Sequence, residues 1–137
     1  MNKNFLILIT CLLYFDFLNA QVTDSVKYIS LDPHYFHLQY LKEDSALLLD
    51  VRQPFEFRVN RIKDAINMPS SKHLKTLIDT LPGNYALFLY CTDDYRSHRA
   101  CEICIDLGVI KVYNLEGGLI AWKKEKFPVE KRRRKKK

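Results

Sequence analysis

Glycine is scarce in this chain, four in 137 residues, and proline is hardly commoner at five. So little of both excludes collagen-like and linker-like sequence. Four cysteines are too few for a disulfide scaffold. Charge is also short once it is located. The formal net charge is +6, but the last seven residues, KRRRKKK, are all basic. Setting those seven apart from the 22 basic residues leaves 15, against 16 acidic ones. The body is therefore near neutral and gives no case for a specific nucleic-acid surface. What remains is 47% apolar and 28% charged, enough to build the core of one domain.

The first twenty residues, MNKNFLILITCLLYFDFLNA, read as an address. Lys3 supplies a short basic start. Phe5 to Phe15 is an apolar run of eleven residues broken only by Thr10, shorter than the ~20 of a membrane span. Leu18-Asn19-Ala20 then precedes Gln21. This is the layout of a secretory signal peptide cleaved after Ala20, which places the mature chain in the periplasm or outside the cell. The alternatives are a retained membrane anchor and a lipoprotein modified at Cys11. Cleavage would leave Cys91, Cys101 and Cys104, an odd number that implies a reactive thiol or an intermolecular partner.

From Val26 onward, strand and helix patterns alternate. Val26 to Ile29, Ala46 to Val51, Ala65 to Met68, Tyr85 to Tyr90 and Val112-Tyr113 read as strands. Ala46 to Val51 and Tyr85 to Tyr90 are continuous apolar runs, as in strands covered on both faces. Asp32-Pro33 is a helix start, and Phe36 and Tyr40 share the face of the helix that follows. Pro54 opens a short helical piece. Ser70 or Ser71 caps a helix bearing Leu74, Leu77, Ile78 and Leu81. Ser97 to Leu107 puts Ala100, Ile103, Cys104 and Leu107 on one face, and Leu119 to Lys124 is a last helix. This alternation predicts an α/β domain with helices on both faces of a mostly parallel sheet, spanning residues 21–130, with 131–137 as a disordered basic tail.

The strongest strand runs into Cys91-Thr92-Asp93-Asp94-Tyr95-Arg96-Ser97 and then into a helix. A polar loop between a central strand and a helix start is where α/β proteins place ligands. Loop and helix N–H groups converge there on a seat for an anion. A cysteine facing that seat is favoured as thiolate, and Arg96 adds positive charge. The competing reading is a small buried hydrophobe at a strand end.

Three strings resemble the signatures of rhodanese domains. Leu48-Leu49-Asp50-Val51-Arg52, with Glu56-Phe57, Ile62 and Ala65-Ile66-Asn67-Met68-Pro69, is similar to the N-terminal signature. Cys91 with Arg96-Ser97 resembles the active loop. Leu115-Glu116-Gly117-Gly118-Leu119-Ile120-Ala121-Trp122, followed by Pro128-Val129, resembles the C-terminal signature. The resemblance implies a single α/β/α layer domain with a five-stranded sheet, and a sulfurtransferase that needs no cofactor or metal. Cys91 would carry a sulfane sulfur as a persulfide from a small-molecule donor to a thiol or protein acceptor. Residues Thr92, Asp93, Asp94, Tyr95 and Arg96 would form the cradle through their N–H groups. Ser97 would begin the helix and give its hydroxyl to the loop. Asp50, Arg52 and Glu56 would support the site from behind, or form a structural ion-pair cluster at the strand end.

The chain departs from the family pattern in its loop acids. Asp94 stands where glycine is common, and Asp93 and Asp94 stand where thiosulfate-using members carry neutral or basic residues. A carboxylate about 7 Å from the sulfur disfavours its thiolate by roughly 1–2 kcal/mol at an effective dielectric of about 20–40. Both acids would also repel a doubly charged donor such as thiosulfate. Asn60-Arg61 and Asp64 replace a Gly-His pair and a glycine of the early motif. A phosphatase loop of related fold would hold five residues between cysteine and arginine, whereas Thr92 to Tyr95 is four. A rhodanese-like binding or regulatory module with little turnover is the alternative function.

The C-x-x-C of Cys101 and Cys104 suits core packing better than redox chemistry, and His98 is too little of a ligand set for a metal. Gly117-Gly118 and Trp122 read as structural, and His34 and His37 as surface. The basic tail could touch anionic lipid headgroups, at about 1 kcal/mol per residue.

Overall fold

The computed structural model describes residues 27–131. The expected leader at 1–20, Val26 and residues 132–137 of the tail lie outside the described residues. Seven strands and five helices alternate in order: β1 (Ile29–Leu31), α1 (Pro33–Lys42), β2 (Ala46–Asp50), α2 (Pro54–Val59), β3 (Asn60–Arg61), β4 (Ile66–Asn67), α3 (Ser71–Ile78), β5 (Ala86–Tyr90), α4 (Tyr95–Asp106), β6 (Val112–Leu115), α5 (Gly118–Lys124) and β7 (Glu130–Lys131). Five strands form one sheet in the order β1-β6-β5-β2-β4, and every pairing in it is parallel. β5 is central. The chain steps outward from β2 to β4, returns to β5, and then steps the other way to β6. The loop leaving β5 therefore sits where the strand order reverses, which opens a crevice at the strand ends.

Local chemistry sets the element boundaries. Asp32 caps α1, its Oδ1 accepting from His34 N at 2.9 Å and Tyr35 N at 3.0 Å, with Pro33 in the first turn. Ser70 caps α3 through His73 N. Helix α4 starts at Tyr95, two residues before the expected start at Ser97. The apolar-face pattern begins only at Ala100, so the polar first turn leaves no periodic signal.

All five residues of β5 are buried, and its side chains alternate between two cores. Phe88 and Tyr90 join Phe36, Leu119 and Trp122 on the face covered by α1 and α5. Leu87, Leu89 and then Cys91 join Leu74, Ala100, Cys101 and Cys104 on the face covered by α3 and α4. Burial of each large side chain contributes about 1.5–3 kcal/mol, so this strand is the main anchor of the loop that follows it. Phe36 and Tyr40 meet the Phe88 ring edge-on at 5.2 and 5.3 Å.

One pairing has no counterpart in the sequence reading. β3 and β7 form a two-stranded antiparallel sheet, Asn60 opposite Lys131 and Arg61 opposite Glu130, with an Arg61–Glu130 ion pair at 3.1 Å. Lys131, expected to open the disordered tail, is thus part of a strand. Two-residue strands carry no periodicity, so only the approach of distant segments defines them. Among the described residues no helix is long and apolar enough to cross a membrane.

Candidate active site

Cys91 follows directly on β5 and is fully buried. Its thiol donates to Asp93 Oδ1 at 3.7 Å, and the Ser97 hydroxyl donates to Sγ at 3.6 Å. The same hydroxyl lies 2.9 Å from the carbonyl of Asp94 and shares its single proton between the two acceptors, so Ser97 ties the sulfur to the loop. Among the described residues, the backbone N–H groups of Thr92 to Ser97 make no hydrogen bond. The next N–H, that of His98, is the first to bond back, to Asp94 O at 3.0 Å. Six successive unpaired donors, directly after the cysteine, can form a cradle for negative charge.

The loop's carbonyls, by contrast, are held. Leu119 N donates to Cys91 O at 2.9 Å and Ile120 N to Thr92 O at 3.0 Å. The first turn of α5 thus grips the start of the loop from behind and turns the N–H groups of Thr92 and Asp93 the other way. Gly118 makes this approach feasible. A Cβ there would lie 2.7 Å from Cys91 O and from Thr92 C and O, and the residue has φ +57°. Sequence reasoning assigned Gly117-Gly118 a turn role and missed that the turn shapes the reactive loop. The signal was the glycine pair itself, which permits both positive φ and close backbone contact.

The structure separates the two loop acids that the sequence reading treats alike. Asp93 is exposed and its carboxylate meets the sulfur. Asp94 turns away from it. Its Oδ2 accepts from Gly117 N at 2.9 Å and lies 3.8 Å from His98 Nε2. His98 Nδ1 shares a hydrogen bond with the Tyr28 hydroxyl at 2.7 Å. The Asp94 backbone is left-handed, φ +82°, the conformation for which glycine is the usual choice. Aspartate tolerates this region better than most residues, and the bond to Gly117 helps hold it there.

Arg96 also departs from expectation. Its guanidinium does not stand open to an incoming anion. It makes a two-pronged pair with Glu56, at 2.7 and 2.9 Å, and donates to Thr92 Oγ1 at 3.1 Å. Thr92 Oγ1 in turn donates to Glu56 Oε1 at 3.0 Å. The Arg96 hydrogen bonds hold the Glu56 carboxyl down at about 2, and Glu56 raises the Arg96 guanidinium further above its usual range. Glu56 thus reaches the loop from α2, where Pro54 in the first turn and the Gln53–Glu56 capping box fix its position.

Asp50 and Arg52 do not reach the loop. Arg52 Nη2 meets Asp50 Oδ2 at 2.6 Å, also donates to Asn60 O at 2.6 Å, and lies over the Tyr90 ring at 5.8 Å. This buried pair anchors the strand ends beneath the site. Tyr95 is 82% exposed and makes no side-chain hydrogen bond to the loop. Beside the loop, an open groove of about 630 Å³ runs between α3 and α4, with Met68, Leu74 and Ile103 in its lining and Tyr95 and Arg96 among its other residues. Cys91 does not line it.

Cys101 and Cys104 are free thiols in the core under α4. Burial pushes the Cys104 thiol up to about 12, and burial together with the neighbouring Cys104 and Cys91 raises Cys101 as well. Neither is poised to react at neutral pH. Among the described residues no group of three or more metal-binding side chains occurs.

A parallel five-stranded sheet, with a cysteine cradled by N–H groups at its switch point, defines a class of α/β proteins built around one thiol. The rhodanese-like domain family model matches residues 36–125, and the chain belongs to that family. A sulfurtransferase of Allochromatium vinosum is 33% identical over 87 residues, covering 63% of this chain and 79% of that protein. An uncharacterised protein of Synechocystis sp. is 36% identical over 93 residues, 68% of this chain and about half, 51%, of that protein. A tRNA uridine(34) hydroxylase of Hamiltonella defensa is 31% identical over 100 residues, 66% of this chain but only 28% of that protein. Among solved structures, a rhodanese-related protein of Thermoplasma volcanium superposes with a TM-score of 0.63 at 28% identity, covering 75% of this chain and 98% of that one.

Proposed function

We propose that this protein is a sulfurtransferase in which Cys91 accepts a sulfane sulfur, holds it as a persulfide and passes it to a nucleophile. The observation that carries the reading is the cradle. The six unpaired N–H groups of Thr92 to Ser97 follow directly on the cysteine, and α5 holds the carbonyls of Cys91 and Thr92 behind them. Donors preorganised in this way stabilise charge on the sulfurs without rearranging as the donor's S–S bond breaks. Asp93 and Ser97 contact the thiol, Asp94 and Arg96 hold the loop, and Glu56 supports it from α2.

The test is mass spectrometry after incubation with thiosulfate, mercaptopyruvate, polysulfide or an alkyl persulfide. A sulfur adduct should appear on Cys91, vanish in Cys91→Ser, and persist in Cys101→Ala and Cys104→Ala. An adduct on Cys104 in the Cys91→Ser protein would overturn the assignment. The second reading, a binding module with little turnover, is favoured by the complete burial of Cys91 and the pairing of Arg96 with Glu56. It requires an adduct that forms but is not released to thiol acceptors.

We extend the proposal to location. The leader-like residues 1–20 support export, so N-terminal sequencing of the mature protein should begin at Gln21. A full-length chain retained in the cytoplasm would overturn it.

A further inference from the structure

The electrostatics of the loop bear on which donor Cys91 meets. The guanidinium nearest the sulfur, Arg96, is matched by Glu56 and Thr92 through bonds of 2.7, 2.9 and 3.1 Å. Asp93, exposed and 3.7 Å from Sγ, forms no ion pair with a lysine or arginine among the described residues. Asp94 places a further carboxylate in the loop, turned to Gly117. With Arg96 matched by Glu56 and Asp94 turned away, Asp93 is the unmatched charge that meets the sulfur. A donor must bring its sulfane sulfur to Sγ, and any charge it carries then falls within a few ångströms of the Asp93 carboxylate. At that distance like charges repel strongly, and solvent screening removes only part of the effect.

We propose that Asp93 sets the substrate class of this site: the sulfur donor is an uncharged or cationic persulfide, not an anionic sulfane-sulfur compound such as thiosulfate. This rests on the reading of Cys91 as a sulfur carrier. The Cys91 sulfur attacks the terminal sulfur of R–S–SH. A new S–S bond forms at Cys91 as the donor's S–S bond breaks. The R–S⁻ group leaves and takes up the proton given up by the Cys91 thiol. The products are the Cys91 persulfide and R–SH, with no net oxidation. A positive charge on R lies beside the carboxylate during this exchange, and a negative one opposes it.

Three alkyl persulfides that share a two-carbon spacer test the assignment: those of cysteamine (R cationic), N-acetylcysteamine (R neutral) and 3-mercaptopropionate (R anionic), compared as the R–S–SH form at one pH. Loading of Cys91 in the full chain is followed by mass shift at low and high salt. The expected second-order rates fall in that order, with at least about tenfold between cation and anion at low salt, shrinking at high salt. Asp93→Asn should collapse the cation-to-anion ratio toward one, and Asp93→Lys should invert it. A ratio near one in the unaltered protein, or a ratio untouched by both substitutions, overturns the proposal while leaving the sulfur carrier standing. Failure of Cys91 to load from any of the three overturns the sulfur-carrier reading itself, and donor selection with it.

Discussion

Glu56 shows how one side chain on a short helix governs a loop forty residues away in sequence. Its carboxylate binds Arg96 and Thr92 together, and the pair is largely shielded on the Glu56 side. Its depressed value, about 2 against an ordinary value near 4.5, has a definite sign for stability. The folded state favours the ionised form, so the contribution is complete above the ordinary value and is lost as pH falls through about 2. Arg96 is 37% exposed, which trims the effect to about 2 kcal/mol. The expected outcome is that Glu56→Gln lowers the urea midpoint by a full increment near neutral pH, and that the gap from the unaltered protein closes on acidification from about pH 4.5 to 2. A gap independent of pH would mean the loss is one of packing and not of charge.

At the scale of elements, the junction between the β5–α4 loop and the first turn of α5 is the working unit. Asp94 contributes two separable things to it, tolerance of φ +82° and a bond to Gly117 N. Three substitutions tell them apart. Asp94→Asn keeps an acceptor and a residue suited to the left-handed region, Asp94→Gly keeps only the backbone freedom, and Asp94→Ala keeps neither. If the clamp to Gly117 positions the loop, loading rates on Cys91 should fall in the order Asn, Gly, Ala, with amide exchange of Leu119 and Ile120, whose N–H groups hold the loop, rising in parallel. An Asp94→Gly protein that loads fastest would leave backbone freedom as the whole explanation. Gly118→Ala should be harsher. Its Cβ would strike the Cys91 and Thr92 backbone at 2.7 Å, and backbone cannot swing aside as a flexible side chain can. The thermal midpoint and the adduct on Cys91 should both be lost or sharply reduced in that protein.

For the whole molecule, the two cores on either side of the sheet divide the labour. The α3–α4 side packs around Cys91, and the α1–α5 side holds the helix that grips the loop. Trp122 is the keystone of the second core. It is 3% exposed, stacks on Phe127 at 4.4 Å and donates from Nε1 to Pro128 O at 3.0 Å. That bond also steers the chain toward β7 and its pairing with β3. Trp122→Ala should cost about 3–5 kcal/mol, measured by urea unfolding. Because α5 then loses its seat, Cys91 loading should fall even in the fraction that remains folded. Unimpaired loading would show that the loop keeps its shape without α5.

The sequence by itself determined the α/β class, the five strands of the main sheet and the place of the polar loop that opens at Cys91. Those features are local. Apolar runs at Ala46 to Val51 and Tyr85 to Tyr90, caps at Asp32 and Ser70, and the spacing from Cys91 to Arg96 can be read without knowing which segments meet. Tertiary structure decided what the loop residues do, because that depends on partners far away in the chain. Arg96 looked like an open positive charge until Glu56 arrived from α2. Asp93 and Asp94 looked equivalent until one met the sulfur and the other met Gly117. Asp50 and Arg52 read equally as support for the site or as an ion pair at the strand end, and Asn60 and Tyr90 hold Arg52 in the second role. Hydrogen bonds and ion pairs act over a few ångströms, and side chains three residues apart or sixty apart in sequence compete for them on equal terms once the chain is folded.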